Sequence, residues 1–175
     1  MEFQIRKTVL DDAKGIAKVH INSWKSTYKG IISDEFLDKM NLERGIERWK
    51  GRLKNPSEKY QILIAVVDQQ IIGFIDGGQN RGEKDKYDAE VYSFYLLEEV
   101  QKQKIGSEML KRFAEELRSN GFCNMIVWVL KDNPARTFYE KMGGKYLEAK
   151  YLEELSVVEV SYGWEDIREL TKEIS

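Results

Sequence analysis

The run from Phe122 to Leu130 is apolar at nearly every position, and a strand of that kind is stable only where other elements cover both of its faces. A chain that contains it must therefore build a layered core with this segment in the interior. The neighbouring segments supply the layers. After Gly106, the residues Met109, Leu110, Phe113, Ala114 and Leu117 form one apolar helical face opposite Lys111, Arg112, Glu115 and Glu116, and Asn120-Gly121 closes that helix. Downstream, Asn133 opens a shorter helix holding Ala135, Phe138, Tyr139 and Met142, which Gly143-Gly144 ends. This alternation of strand and helix predicts a parallel strand pair joined by a right-handed crossover.

The rest of the chain reads as follows. Phe3 to Val9 is a strand, and Asp11-Asp12 caps a helix carrying Ile16, Val19, His20 and Trp24. A second helical stretch runs from Asp34 to Leu53 with a break near Asn41 or Gly45, and Asn55-Pro56 ends it. Tyr60 to Val67 and Ile71 to Asp76 form a hairpin about Asp68-Gln69, although that turn lacks glycine. Gly77 to Asp85 reads as a connection, Ala89 to Leu97 as a strand, and Lys145 to Tyr151 and Val157 to Trp164 as the two last strands. At 175 residues a single domain over 1–175 is the expectation.

Composition narrows the partners. A formal net charge of −2 gives no global pull on phosphate polymers, so no nucleic-acid partner is expected. No apolar run is long enough to span a bilayer, so no membrane partner is expected and the protein reads as cytoplasmic. With Cys123 and His20 the sole residues of their types, neither an internal disulfide nor a metal site is expected. The alternation of Cys123 with Met125, Val127 and Val129 makes it a buried, inert thiol.

Chemistry concentrates at Gln101-Lys102-Gln103-Lys104-Ile105-Gly106-Ser107, between a strand and a helix. Helix N-termini leave backbone N–H groups without acceptors, and with the helix dipole these favour an anion. Gly106 leaves room for a phosphate to approach the main chain, and Lys102 and Lys104 add positive charge. The segment Asn133-Pro134-Ala135-Arg136-Thr137-Phe138-Tyr139-Glu140-Lys141-Met142-Gly143 repeats the strand-turn-helix layout one unit later.

With these two segments the chain resembles the GNAT superfamily of N-acetyltransferases, and Ser23-Trp24 followed by Thr27-Tyr28-Lys29-Gly30 resembles that family's first helix and acceptor loop. The resemblance implies an α/β (α+β) fold: a mixed, mostly antiparallel sheet of about seven strands, a splayed parallel pair and about four helices on its faces. It implies acetyl-CoA as cosubstrate, bound by Phe94, Leu96, Gln101, Lys102, Gln103, Lys104, Ile105, Gly106, Ser107, Asn133, Arg136 and Tyr139. It further implies direct acetyl transfer to a primary amine, with a strand N–H such as that of Leu96 polarising the thioester carbonyl and Tyr139 as general acid. Glu90 is the candidate base, and Trp24, Tyr28 and Glu90 are candidates for acceptor binding. One position departs from the family, which usually has glycine where this chain has Lys104. We read Lys104 as already helical, at little cost; a left-handed backbone there would instead strain it by about 1 kcal/mol.

Other readings of these residues stay open. Tyr139 shares a helical face with Ala135 and Met142 and fits a core, Glu90 fits an exposed strand position, Trp24 and Tyr28 fit helix packing, and His20 fits a packed imidazole. A CoA-binding module without turnover is the rival function, and a phosphate-backbone contact along Lys102 to Arg112 the least favoured. Asp76, Asp85, Asp88 and Glu90 suit a cationic acceptor such as a polyamine or aminoglycoside. The alternating final strand is a candidate surface for a homodimer.

Overall fold

The computed structural model describes residues 1–82 and 86–172, and the strands expected from the sequence form one seven-stranded sheet. Its strands are β1 (Gln4–Lys7), β2 (Tyr60–Val67), β3 (Gln70–Gln79), β4 (Ala89–Leu96), β5 (Met125–Leu130), β6 (Lys145–Leu152) and β7 (Val157–Trp164), in the spatial order β1-β2-β3-β4-β5-β7-β6. All neighbours are antiparallel except β4 and β5. The helices are α1 (Ala13–Tyr28), α2 (Asp34–Asp38), α3 (Leu42–Leu53), α4 (Ile105–Ser119) and α5 (Arg136–Lys141), one more than the four anticipated. The extra one arises because Asn41, not Gly45, divides the second stretch: its side chain accepts the Arg44 N–H at 3.0 Å and starts α3 afresh. Gly45 lies within α3, where a Cβ would meet that of Ala17 at an ordinary 3.5 Å.

Two apolar layers sandwich the sheet. On one face Ile105, Met109, Leu110, Phe113, Ala114 and Leu117 of α4 pack with Val91, Val127 and Val129, and on the other Ile16, Ala17 and Trp49 pack with Ile62, Ile64 and Phe74. β5 is interior, between β4 and β7, as its apolar run requires. The run begins later than its composition suggests, because the Asp88 carboxylate accepts the N–H groups of Cys123 (2.9 Å) and Asn124 (3.2 Å) ahead of the strand. Cys123 is consequently exposed rather than buried.

Glycines explain another difference. Gly77 and Gly78 belong to β3 rather than to a loop, since a Cβ on either would collide with a neighbouring strand, at the Glu90 carbonyl oxygen and the Lys59 carbonyl oxygen respectively. The β2–β3 hairpin forms without glycine because Asp68 (φ 47°) and Gln69 (φ 66°) both take left-handed conformations. β7 sits between β5 and β6 and has no free edge, so the final strand is not a surface for a second copy; the outer edge on that side is β6.

The site is positioned by a break in pairing. β4 and β5 pair only from Ala89–Val91 to Met125–Val127. On its other side β4 changes register against β3, Gly77 facing Val91 and Asp76 facing Ser93, which leaves Tyr92 as an extra residue. Such a bulge bends and twists its strand, and beyond it β4 stays with β3 and parts from β5. No helix among the described residues is long and apolar enough to cross a membrane.

Candidate active site

α4 begins at Ile105, directly after a tight loop in which Lys102 (φ 62°) and Lys104 (φ 66°, ψ −5°) are both left-handed. This corrects the helical reading of Lys104: the position uses the backbone that glycine adopts freely, and a lysine is held there against the usual steric cost. The purpose is visible in what the loop exposes. The first intrahelical acceptor is the Lys104 carbonyl, which takes the Glu108 N–H at 3.1 Å, so the amides of Ile105, Gly106 and Ser107 precede the helical ladder. A Cβ at Gly106 would lie 3.3 Å from Leu96 and 3.5 Å from Phe138, closing the approach from β4 and α5. Ile105 itself is core and offers only its main chain. Gln101 donates its side-chain N–H to the Leu96 carbonyl (3.1 Å) and Gln103 to that of Glu99 (3.3 Å), while the two lysines remain exposed.

Leu97 donates its N–H to Ile72 on β3 at 2.9 Å. Backbone groups alternate along a strand, so Leu96 and, two residues earlier, Phe94 turn their amides away from β3 toward the opening between β4 and β5. The β4 edge and the start of α4 thus each present main-chain donors, separated by the Val100 and Gln101 amides, which donate to the carbonyls of Leu97 and Glu98. On β4, Phe94 meets Phe138 edge to face with centroids 5.8 Å apart.

Across the opening lies a cluster of phenols. Tyr28, at the end of α1, shares a hydroxyl–hydroxyl hydrogen bond of 3.1 Å with Tyr95 of β4. Burial pushes the Tyr28 phenol up, against hydrogen bonds to Tyr95 and Asn133 that lower it. Asn133 does not start α5 itself; its Oδ1 accepts the Ala135 N–H at 2.8 Å and fixes the turn that leads into it. Tyr139 is buried in the core and edges against Phe138 and Trp164. Its phenol is pushed up by burial first and by Tyr28 second. Tyr139 is thus a core residue that lies near enough to Tyr28 to feel its charge. Tyr95 has no signature in the sequence beyond its place on β4, and only the fold brings it to Tyr28.

Trp24 contacts Tyr28 edge to face at 4.8 Å and Phe36 at 6.1 Å, closing the cluster with the α2 segment. His20 stacks on Tyr95 at 5.5 Å, and burial, with Arg48 and Arg52 behind it, lowers its pKa to about 4. It is a packed, neutral imidazole.

Several candidates are engaged elsewhere. The Arg136 guanidinium, expected at the cofactor, donates to the Tyr162 hydroxyl (3.0 Å) and the Lys131 carbonyl (2.9 Å), where it ties α5 to β7. Glu90 is neither exposed nor free: Arg81 donates to it through Nη2 (2.7 Å), Nε (3.3 Å) and its backbone N–H (2.9 Å). Asp76 is fully buried and takes the Tyr60 hydroxyl (2.6 Å) and Arg52 (3.2 Å), and burial nonetheless pushes its carboxyl up. Asp88 is occupied by the two amides ahead of β5. Asp85 lies outside the described residues. Each of the three acids described already accepts hydrogen bonds within the protein.

A family model described as the acetyltransferase (GNAT) family matches residues 21–144. The chain is 36% identical over 168 residues to an uncharacterized N-acetyltransferase, YuaI, of Bacillus subtilis (strain 168), covering 95% of each. It is 28% identical over 149 residues to a spermidine N(1)-acetyltransferase of Thermoplasma acidophilum, covering 83% of this chain and 89% of that one. The crystal structure of the PaiA N-acetyltransferase of Thermoplasma acidophilum in complex with coenzyme A superposes with a TM-score of 0.70 at 26% identity, over 94% of this chain and 100% of that one.

Proposed function

Because this chain belongs to the acetyltransferase (GNAT) family, we propose that it transfers the acetyl group of acetyl-CoA to a primary amine directly, within a ternary complex, and in the cytoplasm. The observation that carries this reading is the edge of β4 that loses its partner beyond Val91, together with the amides at the start of α4 that precede the helical ladder. The residues fit the cosubstrate in two respects: amides of Ile105, Gly106 and Ser107 that precede the helical ladder of α4, and a strand edge that has lost its partner beyond Val91.

In this reading acetyl-CoA supplies an activated acetyl group as a thioester. The amides of Ile105, Gly106 and Ser107 hold its diphosphate with the help of Lys102 and Lys104. Phe94 and Leu96 bind the pantetheine arm in the manner of an added strand. An N–H on this edge, that of Leu96 or a neighbour, stabilises the negative charge that develops on the thioester oxygen during attack. The Tyr139 hydroxyl gives its proton to the departing thiolate. Its raised pKa keeps it protonated, and the same burial disfavours a bare thiolate, so donor and acceptor shift together. Asn133 holds the turn that sets the position of Tyr139. Glu90, ion-paired with Arg81, is placed on the acceptor side as a binding group, and proton removal from the amine falls to solvent at the mouth of the site.

Polyamines are the first acceptors to test, supported by the spermidine-acetylating relative. The test is acetyl-CoA-dependent thiol release with spermidine and a panel of other amines, with mass gain on the acceptor. Tyr139→Phe is expected to lower kcat by about 10²-fold or more while acetyl-CoA binding persists. Wild-type turnover by that variant at saturating amine would remove Tyr139 from the mechanism, and acetyl-CoA binding without release for any amine would favour the non-catalytic module.

A further inference from the structure

We propose that Glu90 and Tyr92 form a subsite for a second ammonium group of the acceptor, and that the free protein fills this subsite with its own Arg81 guanidinium. This rests on the acetyl-transfer reading for its purpose, but its geometry stands alone. The guanidinium carbon of Arg81 lies 4.0 Å from the centroid of the Tyr92 ring while two of its nitrogens donate to Glu90. A carboxylate beside an aromatic face is the pairing by which proteins hold alkylammonium and guanidinium ions.

The two partners of the ion pair are not equally mobile. The Glu90 side chain is 6% exposed and that of Arg81 60%, so the carboxylate is fixed by its surroundings and the guanidinium is free to swing into water. The hydrogen bonds of residues 80–82 do not depend on the guanidinium. The Arg81 backbone N–H still donates to Glu90 at 2.9 Å, and the Gly82 N–H donates to the Asn80 side chain at 2.9 Å, which itself donates to the Tyr87 carbonyl at 2.8 Å. A departing Arg81 leaves Glu90 buried without its charge partner, which is unfavourable. An incoming ammonium restores the balance, and an uncharged group does not.

Position makes this subsite relevant to the acceptor. Glu90 lies within the short paired stretch Ala89–Val91, and Tyr92 is the bulged residue at which β4 begins to part from β5. The nitrogen that attacks must be neutral, so the cation held here is a second one on the same molecule. The arrangement therefore selects diamines and longer polyamines over monoamines, and Arg81 sets the threshold by competing as a tethered cation.

The test is calorimetric titration of spermidine into the full-length protein without acetyl-CoA. Arg81→Ala is expected to bind spermidine about tenfold more tightly than wild type, adding Glu90→Gln is expected to remove that gain, and methylguanidinium is expected to compete with spermidine in Arg81→Ala more strongly than in wild type. Arg81→Gln, which keeps a polar side chain on the connection, is the second variant should the alanine form fail to fold. Equal affinity in wild type and the Arg81 variants, including no binding by either, overturns the proposal, as does a gain that survives Glu90→Gln. Acetyl-CoA titrated into the same samples keeps the two readings apart: loss of that signal refutes acetyl transfer, whereas the spermidine comparison decides the subsite.

Discussion

Lys104 allows a backbone effect to be separated from a charge effect at one residue. Its left-handed conformation costs an L-residue roughly 1–2 kcal/mol, whereas glycine escapes that cost but loses about 0.5–1 kcal/mol through the greater freedom of its unfolded chain. Lys104→Gly should therefore be more stable than Lys104→Ala by about 1 kcal/mol. In a chain of this size that is a rise in Tm of about 2–4 °C. Both variants delete the same ammonium, so the comparison cancels its unfavourable placement at the positive end of α4. They should share a second phenotype. Removing an exposed positive charge beside a bound phosphate costs about 0.2–1 kcal/mol, which is a weakening of acetyl-CoA binding by about 1.4- to 5-fold. The assays are thermal melting without ligand and calorimetric titration with acetyl-CoA. Alanine and glycine variants with equal Tm would refute the argument that backbone conformation at this residue carries strain.

Three further outcomes follow from the packing. His20 stays neutral in the fold with a pKa of about 4, while in the unfolded chain it titrates near 6.5; the unfolded state alone gains the proton in that window, so stability should fall by about 3 kcal/mol as pH drops from 6.5 to 4. Urea melts across that range check it, and His20→Gln should flatten that part of the slope. Gly78→Ala should lose about 2–3 kcal/mol in urea melts, because its Cβ would strike the Lys59 carbonyl of β2. Gly51→Ala, in α3 with nothing within 4 Å of its Cβ, should instead gain about 0.5–1 kcal/mol in the same assay.

How far the sequence could be read depended on whether the signal was local. β2 and β7 lie where their β-branched and alternating residues put them, and the helix after Gly106 follows directly from its apolar face. Gly77-Gly78 misled because glycine marks both loops and close strand contact, and only the approach of Lys59 and Glu90 tells the two apart. The order β5-β7-β6 was not legible, since antiparallel strands joined by a short turn give no sign of which one lies outermost. At the site, the loop and the Asn133 turn were readable as motifs. The partners of Glu90 and Tyr28 were not: Arg81 comes from the connection after β3 and Tyr95 from a strand far from α1. Lys104 is illegible for a different reason, because a residue's identity argues against positive φ and only the surrounding turn can impose it.

The parting of β4 from β5 has a mechanical side. Three residue pairs join these strands, from Ala89–Met125 to Val91–Val127, against six between β5 and β7. The sheet is thus two stiff plates meeting along a short seam, and any molecule wedged into the gap with hydrogen bonds to the plates acts as a brace. Occupancy would then stiffen the whole body rather than one loop, so slower amide exchange in strands that never touch the occupant becomes a sign that the wedge is filled.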